Sequence, residues 1–219
     1  LHPRVRRQRQ MCIRDSICIV ACGSSYHVGM VGKYTLERLL RRPVEVCLAS
    51  EFRYSDPLVG EGDLVIVISQ SGETLDSMAA LREAKKRGAR VLSIVNVVGS
   101  SIARESDDVL YTWAGPEIAV ATTKAYSTQM AVLHLLGLYF GDVLGTVDYE
   151  TYSAMVRGLE ALPGQMEQVL SHTEDIRAAA KWLAQEEDVF FIGRNLDYAL
   201  SLEAVSYTHL RAHETGAYL

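Results

Sequence analysis

Residues 69–74, Ser-Gln-Ser-Gly-Glu-Thr, place hydroxyls, an amide and a glycine directly after an apolar run at 64–68. The residues that follow, 75–87, have a composition typical of a helix. Free N–H groups in a helix's first turn and the helix dipole favour a bound anion. The hydroxyls add neutral donors, and glycine lets the backbone approach the ligand. Because this loop contains no lysine, we expect a site for one phosphate monoester rather than for a nucleoside triphosphate.

A second polar loop, Cys-Gly-Ser-Ser at 22–25, also lies between an apolar run and a helical pattern. Short apolar segments separated by helical stretches are typical of right-handed βαβ units. These segments are 17–21, 44–48, 64–68, 90–95 and 109–112. The sequence therefore predicts an α/β fold, a doubly wound parallel sheet flanked by helices. Ligands of such sheets bind beyond the carboxyl ends of the strands, where both polar loops are expected to converge.

The second half of the chain is predicted to be mainly helical. A largely apolar helix at 122–144 is expected to be buried, either in the core or against another subunit. Two more helices follow, at 149–170, broken near Pro163, and at 173–185. A strand at 189–193 and a helix from 198 repeat the layout of 19–36, which suggests the start of a second, similar domain.

These patterns predict a domain organisation. The first domain is expected at 17–147, a helical connection at 148–186, and the start of a truncated second domain at 187–205. The two ends, 1–16 and 206–219, lack apolar periodicity and are expected to be non-native or disordered arms.

Composition limits the classes of function. The chain of 219 residues is 48% hydrophobic and 22% charged, which is ordinary for a soluble domain. Its densest apolar stretch, 130–140, is shorter than the ~20 residues of a membrane span, and no signal-peptide pattern is visible, so a cytoplasmic protein without membrane contact is expected. The net charge is −5 although the first 16 residues hold five arginines and one aspartate. The acidic remainder argues against a nucleic-acid partner.

The cysteines do not form a metal-binding pattern. Cys18 and Cys47 lie within apolar runs, and the sequence has no Cys-x-x-Cys pair and no paired histidines, so reduced, mostly buried thiols are expected and no metal. Cys22 is interpreted as a small residue at a strand end rather than as a nucleophile. His134, within an apolar run, is expected to be a hydrogen-bonded core histidine.

Five sequence blocks together carry a family resemblance. They are ACGSSYH at 21–27, ASEFRY at 49–54, SQSGET at 69–74, GSSIARESD at 99–107 after Asn96, and AGPEI at 114–118 with VATTKA at 120–125. In this order they resemble the sugar isomerase (SIS) domain of the glutamine–fructose-6-phosphate aminotransferase family, the glucosamine-6-phosphate synthases. The resemblance extends over residues 17–204. The block at 69–74 occurs in many SIS domains, whereas those at 50–54 and 99–106 are more specific to the synthases.

The resemblance implies a substrate and the residues that bind it. The substrate would be fructose 6-phosphate and the product glucosamine 6-phosphate, an intermediate of amino sugar biosynthesis, with ammonia supplied from glutamine by a separate amino-terminal domain. A carboxylate base would move a proton between C1 and C2, no metal or organic cofactor would be needed, and two copies would pair as a homodimer. Phosphate contacts carried over from the family are Ser25, Ser69, Gln70, Ser71 and Thr74. Cys22, Gly23 and Ser24 would line the sugar, and the backbone of Val120, Ala121 and Thr122 would close over it.

The chain also departs from that family. The sequence as given is expected to lack the family's glutaminase domain, and the resemblance ends at 202–204, before the positions of the family's catalytic lysine, glutamate and histidine. No catalytic residue is therefore assigned, and His209 and Glu214 are given no role. Both ends resemble translated adaptor sequence, as expected for a gene fragment. We accordingly expect sugar-phosphate binding without turnover.

Three functions remain open from the sequence. The chain derives from a glucosamine-6-phosphate synthase, from a stand-alone sugar-phosphate isomerase or deaminase, or from a sugar-phosphate-sensing binding module. The specific blocks favour the first. Glu51, Arg53 and Lys124 could either shape the site or lie at the surface, and the sequence does not separate these alternatives.

Overall fold

The computed structural model describes residues 16–117 and 122–206. The predictions for Val120 and Ala121, for most of the amino-terminal arm and for nearly all of the carboxy-terminal arm lie outside the described residues. The strands are Ile17–Ala21 (β1), Val44–Leu48 (β2), Leu64–Ser69 (β3), Arg90–Val95 (β4) and Asp108–Tyr111 (β5). The helices are Gly23–Leu40 (α1), Ala49–Phe52 (α2), Leu75–Lys86 (α3), Ser101–Glu105 (α4), Lys124–Leu144 (α5), Tyr149–Ser171 (α6), Thr173–Leu183 (α7) and Leu196–Ser206 (α8).

The strands form one parallel sheet in the order β2-β1-β3-β4-β5. Ile17 at the start of β1 is in register with Val44 on one side and with Leu64 on the other. All five residues of β1 are buried, as expected for a strand covered on both faces. The predicted α/β class, with a doubly wound parallel sheet, is confirmed.

Helices cover both faces of the sheet. Ile19 packs in a cluster with Leu36 of α1 and Leu133 of α5. Its neighbour Val20 points to the opposite face, into a cluster with Leu81 of α3 and Ile102 of α4. Successive side chains of a strand alternate between faces, so β1 contributes to both halves of the core. This double anchoring fixes the end of β1, where the candidate site begins.

Helix α5 is buried on one side only. Leu133 and Leu138 are fully enclosed, whereas Leu135, Tyr139 and Val143 are exposed. Burial in the core, the first of the two expected alternatives, therefore applies to one side of the helix. The exposed side leaves open the alternative of contact with another subunit.

Two local expectations are wrong. Helix α6 continues without a break through Pro163. Proline removes one helical hydrogen bond, but α6 is exposed around this position, so water can solvate the carbonyl group that loses its partner. Residues 189–193 form no strand, because no described strand lies beside them, and Phe190 and Ile192 remain exposed. The start of a second domain at 187–205 stays a prediction.

Among the described residues, no helix is both long and apolar enough to cross a membrane.

Candidate anion-binding site

The two polar loops lie side by side at the carboxyl edge of the sheet. β1 and β3 are neighbours, and the chain leaves them to enter α1 and α3 respectively. From β1 the chain passes first to β2 on one side and then to β3 on the other. Such a reversal opens a crevice at the strand ends, which is where doubly wound sheets bind ligands.

A cleft of about 240 Å³ occupies this crevice. Its lining consists of Cys22, Gly23, Ser24, Ser25, Ile68, Ser69, Gln70, Ser71, Thr74 and Thr122. Every predicted binding residue that the structure describes is thus part of one surface. The role of each in binding stays a prediction. Ile68 is the residue that the sequence did not single out, and it closes the apolar floor of the cleft.

Hydrogen bonds within the loop at 69–74 hold it in a tight turn. Ser69 Oγ accepts from Gly72 N at 3.1 Å and lies 3.1 Å from Thr74 Oγ1. Ser71 Oγ accepts from Glu73 N at 3.2 Å. Gly72 has a φ of +65°, and a Cβ there would collide with the side chain of Ser100. Glycine at 72 is therefore required twice, by the turn and by the close approach of Ser100.

The carboxylate of Glu73 accepts a hydrogen bond from the protein backbone and is not among the groups that line the cleft. Its Oε1 accepts from Ser101 N at 2.7 Å, at the start of α4, and this bond lowers the pKa of the Glu73 carboxyl. Ile102 N donates in turn to Gly72 O at 3.0 Å. These two contacts tie the loop to α4, and the carboxylate of Glu73 beside the cleft is held by the backbone N–H of Ser101.

Two helices begin at the cleft with their first turns uncapped. α1 starts after Cys22 and α3 after Thr74, and neither residue makes a side-chain capping bond. The N–H groups of a helix's first turn have no acceptor within the helix itself, and both helix dipoles present their positive ends to the cleft. Two such ends at one crevice favour an anion.

The hydroxyls of the loop at 22–25 are bound to distant helices. Ser24 Oγ donates to Glu203 Oε1 at 2.6 Å, and His27 Nδ1 lies 2.5 Å from Glu203 Oε2. Glu203 belongs to α8, so one carboxylate joins this late helix to the first turns of α1. Glu203 lies at the end of the family resemblance, and the sequence predicts no role for it. The sequence does contain one indication that Glu203 has a partner. It is the single acidic residue in the stretch Ala-Leu-Ser-Leu-Glu-Ala at 199–204, and a charge on an apolar helix needs a partner.

Ser25 connects to α5. Its Oγ donates to Gln129 Oε1 at 3.1 Å, and the Gln129 side chain is fully buried. Gln129 Nε2 has no hydrogen-bond partner within the described part of the chain. The nearby Tyr126 hydroxyl is likewise unpartnered there, and burial, with a smaller effect of the Glu203 charge, raises its pKa to about 12. The buried Gln129 side chain of α5 thus holds the hydroxyl of Ser25, a residue of the loop at 22–25.

The remaining candidates are not among the residues that line the cleft. Arg53 packs over the ring of exposed Tyr54, with 4.4 Å between the guanidinium carbon and the ring centroid, which favours a surface role for Arg53. Glu51 and Lys124 are exposed. His134 is hydrogen-bonded as expected, with Nδ1 2.8 Å from Met130 O, although it is half-buried rather than enclosed.

The chemistry of the cleft suits an anion. The described lining offers hydroxyls, one amide, one thiol and backbone N–H groups, and it includes no carboxylate or imidazole. That is a poor donor set for a divalent metal. The Nδ1 atom of His27 contacts Glu203 rather than Cys22.

Fold and cleft together define a doubly wound α/β domain with a polar cleft, the candidate anion site, at its switch point. Comparison with known proteins agrees with this class. The SIS domain family model matches residues 12–139, more than half of the chain. The chain therefore belongs to the SIS domain family.

Named relatives are aminotransferases. The chain is 51% identical to the glutamine–fructose-6-phosphate aminotransferase [isomerizing] of Clostridium tetani, over 95% of this chain and 35% of the relative. It is 56% identical to the enzyme of the same name from Symbiobacterium thermophilum, over 91% of this chain and 34% of that relative. The chain thus spans about a third of the length of the curated relatives it matches.

A solved structure has the same fold over most of the chain. The C-terminal domain of glucosamine-fructose-6-phosphate aminotransferase from Francisella tularensis superposes with a TM-score of 0.83 at 35% identity. The match covers 90% of this chain and 56% of that one. The extent of the match includes the helices beyond β5 as well as the sheet.

Proposed function

We propose that the chain is the fructose 6-phosphate-binding part of a glucosamine-6-phosphate synthase. The observation that carries the proposal is the convergence of two uncapped helix starts, α1 and α3, on a cleft lined by serine and threonine hydroxyls. The names of the curated relatives supply the substrate class. Since phosphorylated sugars are retained inside cells, the proposal includes a cytoplasmic location. Pairing of two copies, which the resemblance implies, stays a prediction.

In this proposal, the phosphate group of the substrate has matching hydrogen-bond donors in the cleft. The phosphate would accept hydrogen bonds from the first turn of α3 and from the hydroxyls of Ser69, Ser71 and Thr74. The Ser25 hydroxyl would move from Gln129 to a phosphate oxygen, a small rotation that exchanges a neutral acceptor for a charged one. Hydrogen bonds to charged groups are worth about 1.5–3 kcal/mol, compared with about 1 for neutral pairs. Leaving the buried Gln129 Oε1 without its donor costs about 1–3 kcal/mol, so the gain and the cost of the exchange are similar in size.

Turnover needs a group that the described cleft does not contain. Moving a proton between C1 and C2 of a ketose requires a base within hydrogen-bond reach of those carbons. The described lining includes no carboxylate and no imidazole, and Glu203 is engaged with Ser24 and His27. We therefore propose binding without isomerisation for this chain.

Isothermal titration calorimetry tests the binding proposal. Fructose 6-phosphate and inorganic phosphate are expected to bind at the same site and to compete, whereas fructose, which lacks the phosphate, is expected not to bind. Fructose binding as tightly as fructose 6-phosphate would contradict the phosphate assignment. Circular dichroism first establishes that the chain is folded. If the folded chain then gave no binding heat with fructose 6-phosphate or with inorganic phosphate, the proposed site would be contradicted.

A separate assay tests the absence of turnover. The chain is incubated with fructose 6-phosphate and ammonia, and glucosamine 6-phosphate is measured by chromatography. No product above the heat-denatured control is expected. Sustained product formation would show that the base lies within this chain and would overturn the proposal of binding alone.

A further inference from the structure

Two thiols and a carboxylate meet on the sheet face opposite α1, outside the anion-binding cleft. Cys18 of β1 is in register with Glu45 of β2, and Val20 is in register with Cys47. The Sγ atoms of Cys18 and Cys47 lie 3.9 Å apart. A carboxylate oxygen of Glu45 and both sulfur atoms all lie within 4.8 Å of one another. The thiols are 29 positions apart in sequence, which is why their spacing gave no metal-binding pattern.

A disulfide does not fit this pair. The register places the two cysteines one strand spacing and two residues apart, so their Cα atoms are separated by about 8 Å in a regular sheet. A disulfide requires Cα atoms closer than about 7 Å, and its sulfur atoms must approach to about 2 Å. β1 is fully buried between two layers of helices and cannot shift freely. Oxidation would therefore need movement of the sheet.

The sulfur separation does fit a shared metal ion. With zinc–sulfur bonds of about 2.3 Å and tetrahedral angles, two thiolates on one zinc ion lie about 3.8 Å apart. The observed 3.9 Å is close to that distance without any rearrangement. Glu45 offers a hard oxygen as a third ligand, a combination that zinc accepts and magnesium or calcium does not.

Access to this cluster comes from the sheet edge. β2 is the first strand in the sheet order and has no described strand on its outer side. Burial decreases outward, since Cys18 is buried, Cys47 is half-buried and Glu45 is exposed. An ion can enter from solvent at Glu45, and a water molecule can complete a fourth position there.

We propose that Cys18, Cys47 and Glu45 form a binding site for a soft divalent cation such as Zn²⁺. Binding breaks two S–H bonds, forms two metal–sulfur bonds and releases two protons to solvent, with no change of oxidation state. The bound ion joins β1 to the edge strand β2. The site is independent of the sugar-phosphate proposal, because it involves neither the cleft nor its loops.

Cadmium titration of the purified chain tests the site. Thiolate ligation of Cd²⁺ gives an ultraviolet charge-transfer band, which we expect to saturate at one equivalent and to be reversed by excess Zn²⁺. The variant Cys47→Ser is expected to lose the band, and Glu45→Gln to bind at least about tenfold more weakly. Two controls should keep the band. The double variant Cys12→Ser, Cys22→Ser removes the two other cysteines of the chain, and Glu51→Gln changes an exposed carboxylate outside the proposed site.

Two measurements keep the outcome unambiguous. Circular dichroism establishes that Cys47→Ser is folded, and Glu45→Gln, at an exposed position, provides a second test that leaves the core intact. A band that persists in Cys47→Ser, or that disappears in the control double variant, would overturn the proposal. Native mass spectrometry of the double variant Cys12→Ser, Cys22→Ser, purified without added reductant, provides a further test. A mass two units below that of the reduced chain would also overturn the proposal, since it signals a disulfide between Cys18 and Cys47.

Discussion

The hydroxyl of Ser24 donates to the carboxylate of Glu203 across 2.6 Å, although 179 positions separate the two residues. The contact joins the first turn of α1 to α8. Ser24 is buried and the Glu203 side chain is 13% exposed, so water contributes little to either group. The helix farthest along the described chain is therefore bonded directly to a loop of the candidate site.

Removing this carboxylate should destabilise the chain. In Glu203→Ala the Ser24 hydroxyl and the His27 ring lose their shared acceptor, and leaving buried donors unsatisfied costs about 1–3 kcal/mol. Urea unfolding followed by circular dichroism measures the change. Glu160→Ala, at an exposed position of α6, is the control and should change stability by less than about 0.5 kcal/mol. Equal stabilities of the two variants would contradict the importance of the contact.

Thr74→Ala should weaken sugar-phosphate binding more than it weakens the fold. Thr74 precedes α3 but makes no side-chain capping bond, so its hydroxyl contributes little to helix stability. We expect the loss of one donor to cost about 1 kcal/mol, or roughly fivefold in affinity for fructose 6-phosphate. Calorimetry compares it with Thr151→Ala, at an exposed position of α6. Unchanged affinity in Thr74→Ala would remove this residue from the site.

A comparison of two glycines tests the tight turn. Gly72 and Gly99 both have positive φ, at +65° and +72°, but only at Gly72 would a Cβ meet another side chain, that of Ser100. Gly99→Ala should therefore cost only the backbone strain of about 1–2 kcal/mol. Gly72→Ala should cost more and should also abolish phosphate binding. If thermal unfolding gave the same loss for both, the close approach of Ser100 would be irrelevant.

Stability in acid should depend on Asp107. Lys85 Nζ donates to its Oδ1 at 2.7 Å and Val91 N to its Oδ2 at 2.8 Å, which together hold the pKa of this carboxyl below its ordinary value of 3.8. A carboxyl with a lowered folded pKa stabilises the fold above its ordinary pKa, and this contribution is lost as pH falls through the folded pKa.

The variant Asp107→Asn should lack that contribution. Urea unfolding at pH 7 and pH 3 should show a smaller drop in stability on acidification for the variant than for the parent chain. Glu160→Gln, at an exposed position of α6, should follow the parent at both values. An identical drop in Asp107→Asn and the parent would show that other carboxyls determine the acid response.

The sheet and the cleft were predictable because local patterns specify them. Each strand is a short apolar run, and the two polar loops follow strands that become neighbours once a doubly wound order is assumed. Parallel strands end at one edge, so the loops at 22–25 and 69–74 converge from topology alone. The sequence could also identify Gly72 as the residue that permits the turn.

The contacts between distant segments were not predictable. Nothing local indicates that Glu203 meets Ser24, or that Cys18 meets Cys47 across two strands, because register and helix docking decide both. The expectation of a strand at 189–193 was wrong for a related reason. An apolar run becomes a strand only where a neighbour supplies hydrogen bonds, and these residues have none in the described structure.

Ser69 accepts from the backbone of Gly72 and pairs with the hydroxyl of Thr74, so the loop is held in its turn by hydrogen bonds among its own residues. The loop is therefore already shaped, and an incoming anion does not have to order it. Binding avoids most of the conformational entropy cost that a mobile loop would impose. Affinity then depends on what the donors contribute rather than on what immobilising them costs, and association requires no slow rearrangement of this loop.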